Sequence, residues 1–430
     1  MGGDAAFRTA KVREKYLESL SEAADYLIRN TSESGYTPAS ADYVWYLPHW
    51  FRDSSWIATS LIRYADFLGC KTPGSAEALS AASRIISFNT RAIGRFASNI
   101  RSLDEITFEN HDFFNLEHHM PSRVNPFGKF YADNRIDDTK EMHTEHSWLM
   151  QYDTIPLILY SLNEKQRLFG LGDSEILFLR DNARGIAEYM GKIYITECAS
   201  AWEINQGMLH AYDVASIHMG FEALKNISKS HGIGITHSEI EKIANRVFAG
   251  GPDAFLRKFF VADGILYNER KPFAEGPLEG SLDASEIFAF LNFGASDVLG
   301  NEDIERNTIE LMEKELFGGN MLPIRFMGDT YYKGGRWLLL GLAFAEYYIK
   351  RGETEKGRRI IDYVIGKYEG SYPEQEIVNT ASETDMFGFY ASNGYRPIQN
   401  LSWSYAALIM ATIELLRADG RSALEHSRRK

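Results

Sequence analysis

Helical segments of two kinds alternate along this chain, and that alternation limits what it can fold into. Apolar positions recur at the helical period over roughly 10–30, 53–69, 75–98, 153–169, 173–195, 209–230, 237–261, 284–299, 301–317, 336–351, 353–369 and 402–418. Even-numbered segments are apolar nearly all round, as in R-W-L-L-L-G-L-A-F-A-E-Y-Y-I and W-S-Y-A-A-L-I-M-A-T-I-E-L-L. Odd-numbered segments from the fifth on carry one apolar stripe and a charged face, as in E-T-E-K-G-R-R-I-I-D-Y-V-I-G-K-Y. An all-round apolar helix is buried, and an amphipathic one covers a surface. Strict alternation therefore predicts an all-α fold of helical hairpins closed into a ring. That is an α/α six-hairpin barrel of about twelve helices, six inner and six outer. An open superhelix of hairpins competes, but it would carry a repeat of about 34–47 residues. No such repeat is visible, and no Pro/Ser-rich linker divides the chain, so residues 1–430 read as one catalytic-sized unit.

The connections alternate as well. Even-to-odd turns are short, as in G-L-G-D and K-R-G-E. Odd-to-even connections are long, at 31–52, 99–152, 196–208, 262–283, 318–335 and 370–401. In a ring of hairpins these long connections all emerge at one end, and long loops on a rigid scaffold are where function is built.

Composition narrows the partners. A net charge of −13 argues against nucleic acid or an anionic membrane. No run of apolar residues is long enough to span a bilayer, and no leader-like segment precedes the first helix. The expected location is cytoplasmic, or secreted after removal of a leader. Cys70 and Cys198 lack metal-ligand spacing, and pairing between them is neither required nor forbidden. Neither a cofactor nor a metal is expected. The histidines of the 99–147 connection (His111, His118, His119, His143, His146) match no metal motif.

The chemistry sits in the long connections. The first ends H-W-F-R-D, placing Arg52 and Asp53 beside Trp50. Arginine offers a fork of donors and aspartate a bidentate acceptor, which suits sugar hydroxyls, although Asp53 is equally placed to cap the following helix. The third carries W-E at Trp202 and Glu203. A carboxyl beside an indole is desolvated, and desolvation raises its pKa toward use as a general acid. Asp283, in S-L-D-A-S, reads most simply as a helix cap. The fifth connection holds Arg325, Asp329, Tyr331 and Trp337 around Gly334-Gly335. The sixth begins S-Y-P-E-Q, with Glu374 in the turn after Pro373, and runs into Trp403. Glu203 and Glu374 lie half a ring apart, across one pocket mouth. Two facing carboxyls are what glycoside hydrolysis requires: one protonates the leaving oxygen and the other handles water or attacks carbon.

Taken in order, these strings resemble glycoside hydrolase family 15, which holds glucoamylases, glucodextranases and some trehalases. The similarity covers about residues 40–415 and rests on W-F-R-D, W-E, R-F-M-G-D-T-Y-Y-K-G-G-R-W, and P-E-Q followed by W-S-Y-A-A. The resemblance implies an α/α barrel and an exo-acting, inverting hydrolase that releases glucose from the non-reducing ends of α-glucosides. By position, Glu203 would be the acid and Glu374 the base. Arg52, Asp53 and Arg325 would hold the hydroxyls of the terminal sugar, and Trp50, Trp202, Trp337 and Trp403 would line the pocket. Glu203 is expected to carry the raised pKa and Glu374 the lower one. Fungal glucoamylases place a second acidic residue after the acid, whereas this chain has Ile204. A trehalase, a phosphorylase or epimerase, and a sugar-sensing domain without activity are the competing expectations. Retention of both carboxyls favours hydrolysis over the last two.

Overall fold

The computed structural model describes residues 2–42, 46–69, 71–101, 123–124, 151–199, 201–202, 207–271, 276–278, 280–329, 331, 334–376 and 397–428. Fourteen α-helices lie among them. In chain order they are α1 (Gly2–Arg29), α2 (Phe51–Leu68), α3 (Pro73–Arg101), α4 (Thr154–Phe169), α5 (Asp173–Ile193), α6 (Ala211–His231) and α7 (His237–Ala244). Then follow α8 (Gly251–Phe260), α9 (Glu286–Leu291), α10 (Ala295–Leu299), α11 (Glu302–Met312), α12 (Leu338–Lys350), α13 (Thr354–Tyr368) and α14 (Ser402–Arg428). A π-turn over Glu313–Phe317 continues α11. The strands are two-residue antiparallel pairs: β1 (His49–Trp50) with β2 (Arg123–Val124), and β3 (Leu209–His210) with β6 (Glu269–Arg270). The others are β4 (Val261–Ala262) with β5 (Ile265–Leu266), and β7 (Arg336–Trp337) with β8 (Gln375–Glu376).

The two kinds of helix separate as their patterns require. Helix α12 buries every residue from Leu338 to Ile349. Helix α13 buries only Gly357, Ile360, Ile361, Val364 and Ile365, one stripe at helical spacing. Burying a large apolar side chain contributes about 1.5–3 kcal/mol, so α12 is held by its surroundings on every side. The inner helices pack in a closed circuit: α2 on α4, α4 on α6, α6 on α9, α9 on α12, α12 on α14, and α14 back on α2. Outside them α3 covers α2 and α4, while α13 covers α12 and α14. The all-α barrel expected from the alternation is the observed architecture.

Two of the expected helices are broken. The segment over 237–261 is α7 and α8, separated over residues 245–250, where Gly250 turns the chain at a left-handed φ of 88° just before α8. The segment over 284–299 is α9 and α10, separated before Gly294 at φ 73°. Apolar periodicity persists across these breaks, so it does not register them.

Inside the barrel, Trp403 stacks between Trp56 and Phe288, with ring centroids 6.3 Å and 5.6 Å away. Below it lies a cavity of about 10 Å³, room for one water, bordered by Ala343, Glu346, Ala406 and Met410. The far end is sealed by charge. Arg63 of α2 donates to Glu164 of α4 (3.2 Å), to Glu346 of α12 (3.1 Å) and to the Tyr160 hydroxyl (2.8 Å). Lys350 adds a second cation 2.6 Å from Glu346. Among the described residues no helix is long and apolar enough to cross a membrane.

Candidate active site

The segments that lead into the inner helices are sewn together around one end of the ring. Arg52, in the first turn of α2, bonds Asp153 just before α4 and the carbonyl of Ala201 ahead of α6. Trp202 bonds Asp283 ahead of α9. The Ala284 amide donates to the Arg325 carbonyl, 2.7 Å away, linking that segment to the one ahead of α12. Strands β7 and β8 join this segment to the one ahead of α14. Ser402 donates its amide to Ala39 at 2.7 Å, which closes the circuit.

Glu374 stands at this end, 3% exposed. Pro373 before it ends any helical run, and two backbone bonds fix the residue itself. Its amide donates to Ile398 (2.8 Å), and its carbonyl accepts from Leu338 at the start of α12 (3.2 Å). Each carboxylate oxygen meets a phenol: Tyr46 at 2.9 Å from Oε1 and Tyr331 at 3.1 Å from Oε2. The two hydroxyls are themselves 2.9 Å apart. Burial pushes the Glu374 carboxyl up to about 7, against the pull of the Tyr46 hydroxyl, the Arg325 charge and the Tyr331 hydroxyl, while the Asp53 charge adds to the rise. Glu374 thus lies above the ordinary carboxylate range, and Glu203, expected to be the higher of the two, lies outside the described residues. Removing a carboxylate from water costs more than two phenols and one cation return.

Beside it, Arg325 forms a fork with Asp329, Nε to Oδ2 at 2.8 Å and Nη2 to Oδ1 at 2.7 Å. Its guanidinium carbon lies 4.9 Å from the ring centres of both Tyr331 and Trp337, and 5.4 Å from Trp202. Trp202 and Trp337 are tilted against each other at 5.1 Å. Arginine over indole is favourable and keeps the cation flat against the wall. Asp283 receives the Trp202 indole N–H on both oxygens, at 2.9 and 3.0 Å, and the Ser285 amide at 2.8 Å. Burial pushes Asp283 up to about 6, with these donors opposing. Asp283 is not the helix cap expected: Ser285 holds the capping position of α9, and Asp283, two residues before it, accepts the Ser285 amide and holds Trp202. One turn further on, Glu286 is wholly buried with neither oxygen bonded among the described residues, and burial pushes its carboxyl well up.

Arg52 is 5% exposed. Its Nε donates to Asp153 Oδ2 and its Nη1 to the Ala201 carbonyl, both at 2.6 Å, while Nη2 is buried with no partner among the described residues. Its guanidinium lies 6.0 Å from the Trp403 ring. Asp53 is not a helix cap. Helix α2 starts at Phe51, Trp50 holds the capping position without a side-chain bond, and Asp53 falls inside the first turn. There it is near enough to act electrostatically on both Arg52 and Glu374.

The structure thus gathers Arg52, Asp53, Trp202, Arg325, Trp337 and Glu374 at one end of the barrel. Trp50 shares that rim through β1. Trp403 lies beneath Arg52 as a floor rather than a wall. Glu203 and Ile204 lie outside the described residues, as do Cys70 and most of the 99–147 connection. Cys198 is a free, buried thiol. Reading the sequence gave no role to Tyr46, Asp153 or Asp213. Their only sequence signal is position, just before or just inside an inner helix. No group of three or more metal-ligand side chains occurs among the described residues.

No family model matches the chain, and no curated protein matches it. Solved structures do. A wild-type glycosidase superposes with a TM-score of 0.73 at 19% identity, over 94% of this chain and 98% of that one. A substituted glycosidase in complex with glucose gives 0.73 at 18% identity, over 94% and 98%. The glycoside hydrolase family 15 glucoamylase from Hypocrea jecorina gives 0.61 at 16% identity, over 94% of this chain and 73% of that one. The glucoamylase from Saccharomycopsis fibuligera gives 0.63 at 13%, over 95% and 96%. At such identities the likeness is one of fold, and the fold is that of glycosidases. More narrowly, this chain has the fold of the family 15 glucoamylases.

Proposed function

We propose that this protein is an exo-acting, inverting glycoside hydrolase that releases glucose from the non-reducing ends of α-glucosides. The observation that carries the reading is Glu374. It is a buried carboxyl at the loop-bearing end of the barrel, aimed by two phenols and pushed up to about 7. A carboxyl so placed is a far better base near neutrality than an ordinary one. In the reaction Glu374 takes a proton from water as that water attacks the anomeric carbon. Glu203, on the segment that Arg52 grips through Ala201, gives its proton to the departing glycosidic oxygen. Attack opposite the leaving group turns an α-glycoside into β-glucose. The unpaired Nη2 of Arg52, the Asp53 carboxylate and the Arg325 N–H groups outside its fork with Asp329 are the groups for the sugar hydroxyls. Trp50, Trp202 and Trp337 form the walls and Trp403 the floor. The complex of a similarly folded glycosidase with glucose supports glucose as the sugar bound.

The test is incubation with maltose, isomaltose, trehalose and dextrin, following the released sugar by NMR. β-Glucose from one or more of these is the expected product. Newly formed α-glucose would overturn inversion, and phosphate-dependent release would make the protein a phosphorylase. Binding without turnover would make it a sugar-sensing domain.

A further inference from the structure

The chain just before α2 is held by a short partner segment, in which Tyr36–Ser40 supply one donor to each residue from Tyr46 to His49. The Ser40 amide donates to the Tyr46 carbonyl (2.9 Å), the Tyr36 hydroxyl to the Leu47 carbonyl, and the Ala39 amide to the Pro48 carbonyl (3.4 Å). The fourth bond differs, because its acceptor is a side chain: the Thr37 amide donates to His49 Nδ1 at 3.0 Å. A main-chain N–H can only donate, so Nδ1 is the unprotonated nitrogen and Nε2 carries the hydrogen. Nε2 donates to Asn89 Oδ1 of α3 at 2.8 Å, and the Asn89 amide nitrogen donates to the Ser54 hydroxyl of α2 at 3.0 Å. The ring is wholly buried among Phe88, Phe51 and Tyr36, whose ring centroids are 4.5, 5.5 and 5.6 Å away. The ionisable groups near it are the Tyr36 phenol, engaged by Leu47, and Arg91, whose guanidinium lies 5.9 Å from the Phe88 ring. Neither would balance an imidazolium, and burial pushes the ring's pKa down to about 4. Protonation would also aim a hydrogen on Nδ1 at the Thr37 N–H, setting two donors face to face in a buried site.

We propose that His49, in its neutral Nε2–H form, is a positioning residue for the base: it fastens the segment that presents Tyr46 to Glu374. This deepens the hydrolase reading and rests on it for the kinetic consequence, though not for the state of the ring. The Tyr46 hydroxyl stands 2.9 Å from Glu374 Oε1. The segment that holds Tyr46 is in turn tied to the chain leading into α14. The Ser402 amide donates to the Ala39 carbonyl at 2.7 Å and its hydroxyl to the Pro38 carbonyl at 2.9 Å, while the Ser40 hydroxyl donates to the Gln399 carbonyl at 2.8 Å. Ile398 of that same chain accepts the Glu374 amide at 2.8 Å. Phenol and carboxyl are therefore carried by one frame. The imidazole joins this frame to α3 and α2 through Asn89, so that Tyr46 meets Glu374 from a fixed direction. His49 acts through Tyr46 and is not a catalytic residue.

Asparagine and glutamine each copy half of the ring, which separates this from a merely structural role. His49→Asn places an amide oxygen near the position of Nδ1, and His49→Gln an amide nitrogen near that of Nε2. His49→Asn keeps the Thr37 bond, and its kcat on the best substrate of the panel should stay within about threefold of wild type. His49→Gln loses that bond, and kcat should fall about 10-fold. Tyr46→Phe should fall by a similar factor, and adding His49→Gln to it should cost nothing more, because the two act in series. Losses that multiply in the double variant overturn the proposal, as does a folded His49→Asn that falls as far as Tyr46→Phe. The state of the ring is read separately, by long-range proton–nitrogen NMR of histidine-labelled wild type, with the His49 signals identified by their loss in His49→Asn. The neutral Nε2–H tautomer is expected from about pH 7 down to about pH 5. An Nδ1–H tautomer, or an imidazolium in that range, overturns the proposal whether or not the protein hydrolyses anything. If His49→Gln does not fold, the asparagine variant and this spectrum decide. A chain without glycosidase activity would fail the substrate panel and leave the NMR result standing, so the two failures are distinguishable.

Discussion

Helix α2 carries a buried arginine in its first turn and a half-buried one toward its other end, and their surroundings are opposite. Arg63, at the far end, uses all three nitrogens on protein partners: Glu164, Glu346 and Tyr160. Arg52, at the loop-bearing end, uses Nε and Nη1 and leaves Nη2 unpaired. The carboxyls differ in the same sense. Burial pushes Glu346 up, but the Lys350 and Arg63 charges outweigh it and hold it below the usual carboxylate range. Glu374 faces phenols and a more distant cation, and it rises to about 7. A saturated network stiffens the barrel. An unsaturated one is paid for in stability and is useful only if something else completes it.

The sharpest break of this contrast is Glu374→Gln. Turnover should fall by about 10²–10⁴-fold, the range for removing a general base. Azide should restore part of it, giving a β-glycosyl azide from an α-glycoside, seen by NMR. Glu346→Gln should leave the turnover of folded protein unchanged. A glutamine at Glu346 that abolishes turnover, with one at Glu374 that only lowers Tm, would invert the comparison.

Next in size is the stability arm. Arg63→Met removes the cation shared by two buried carboxylates, leaving Glu346 to Lys350 and Glu164 to Arg167, and should cost about 1–3 kcal/mol in urea unfolding. Arg52→Met, by contrast, should show itself mainly in kcat/KM. A comparable effect is expected at Asp53. Asp53→Ala should cost about 1–3 kcal/mol of transition-state binding, read from kcat/KM, and little stability because no cap is lost. Equal losses of fold and activity would return Asp53 to a structural role.

The smallest effects are in pH. If Glu374 is the base, kcat/KM should rise with pH and level off above about 7. Tyr46→Phe removes a donor to the ionised carboxylate and should move that limb upward. The folded-state value is raised from 4.5, so between 4.5 and about 7 the folded protein binds the extra proton. Glu374 then favours folding most at low pH, and its contribution diminishes as pH climbs through that window. Glu374→Gln should consequently raise Tm above pH 7 relative to wild type while leaving little difference below 4.5, which thermal melts at the two extremes can check.

Much of this contrast was visible in the sequence, and the parts that were not share a cause. The ring was legible because α12 is apolar all round and α13 is striped, and that difference survives in the letters. The rim was legible because Arg52 begins an inner helix and Trp202, Arg325 and Glu374 each lie in a long connection that leads to one. The break at Gly250 was missed because apolar spacing continues through a left-handed residue. The rise in the Glu374 pKa was not legible because it depends on how much water reaches the carboxyl, and on phenols 328 and 43 residues away in the chain. The bond from the Trp202 indole to the Asp283 carboxyl, 81 residues on, was not legible either. Pairings at such separations leave no local pattern.

The closed circuit of inner helices also bears on how the chain is made. Helix α2 emerges from the ribosome long before α14, yet α14 supplies one of its two flanks. Until Ser402–Arg428 are free, the growing ring stands open, with the apolar side of α2 exposed at one edge and that of α12 at the other. Contacts that span most of the chain form last and slowly, and an open edge of this kind invites association with other chains. Production of this protein should therefore be limited less by the stability of the finished barrel than by the time its gap stays open. Chaperone supply and translation rate should change the yield of soluble product more than surface substitutions do.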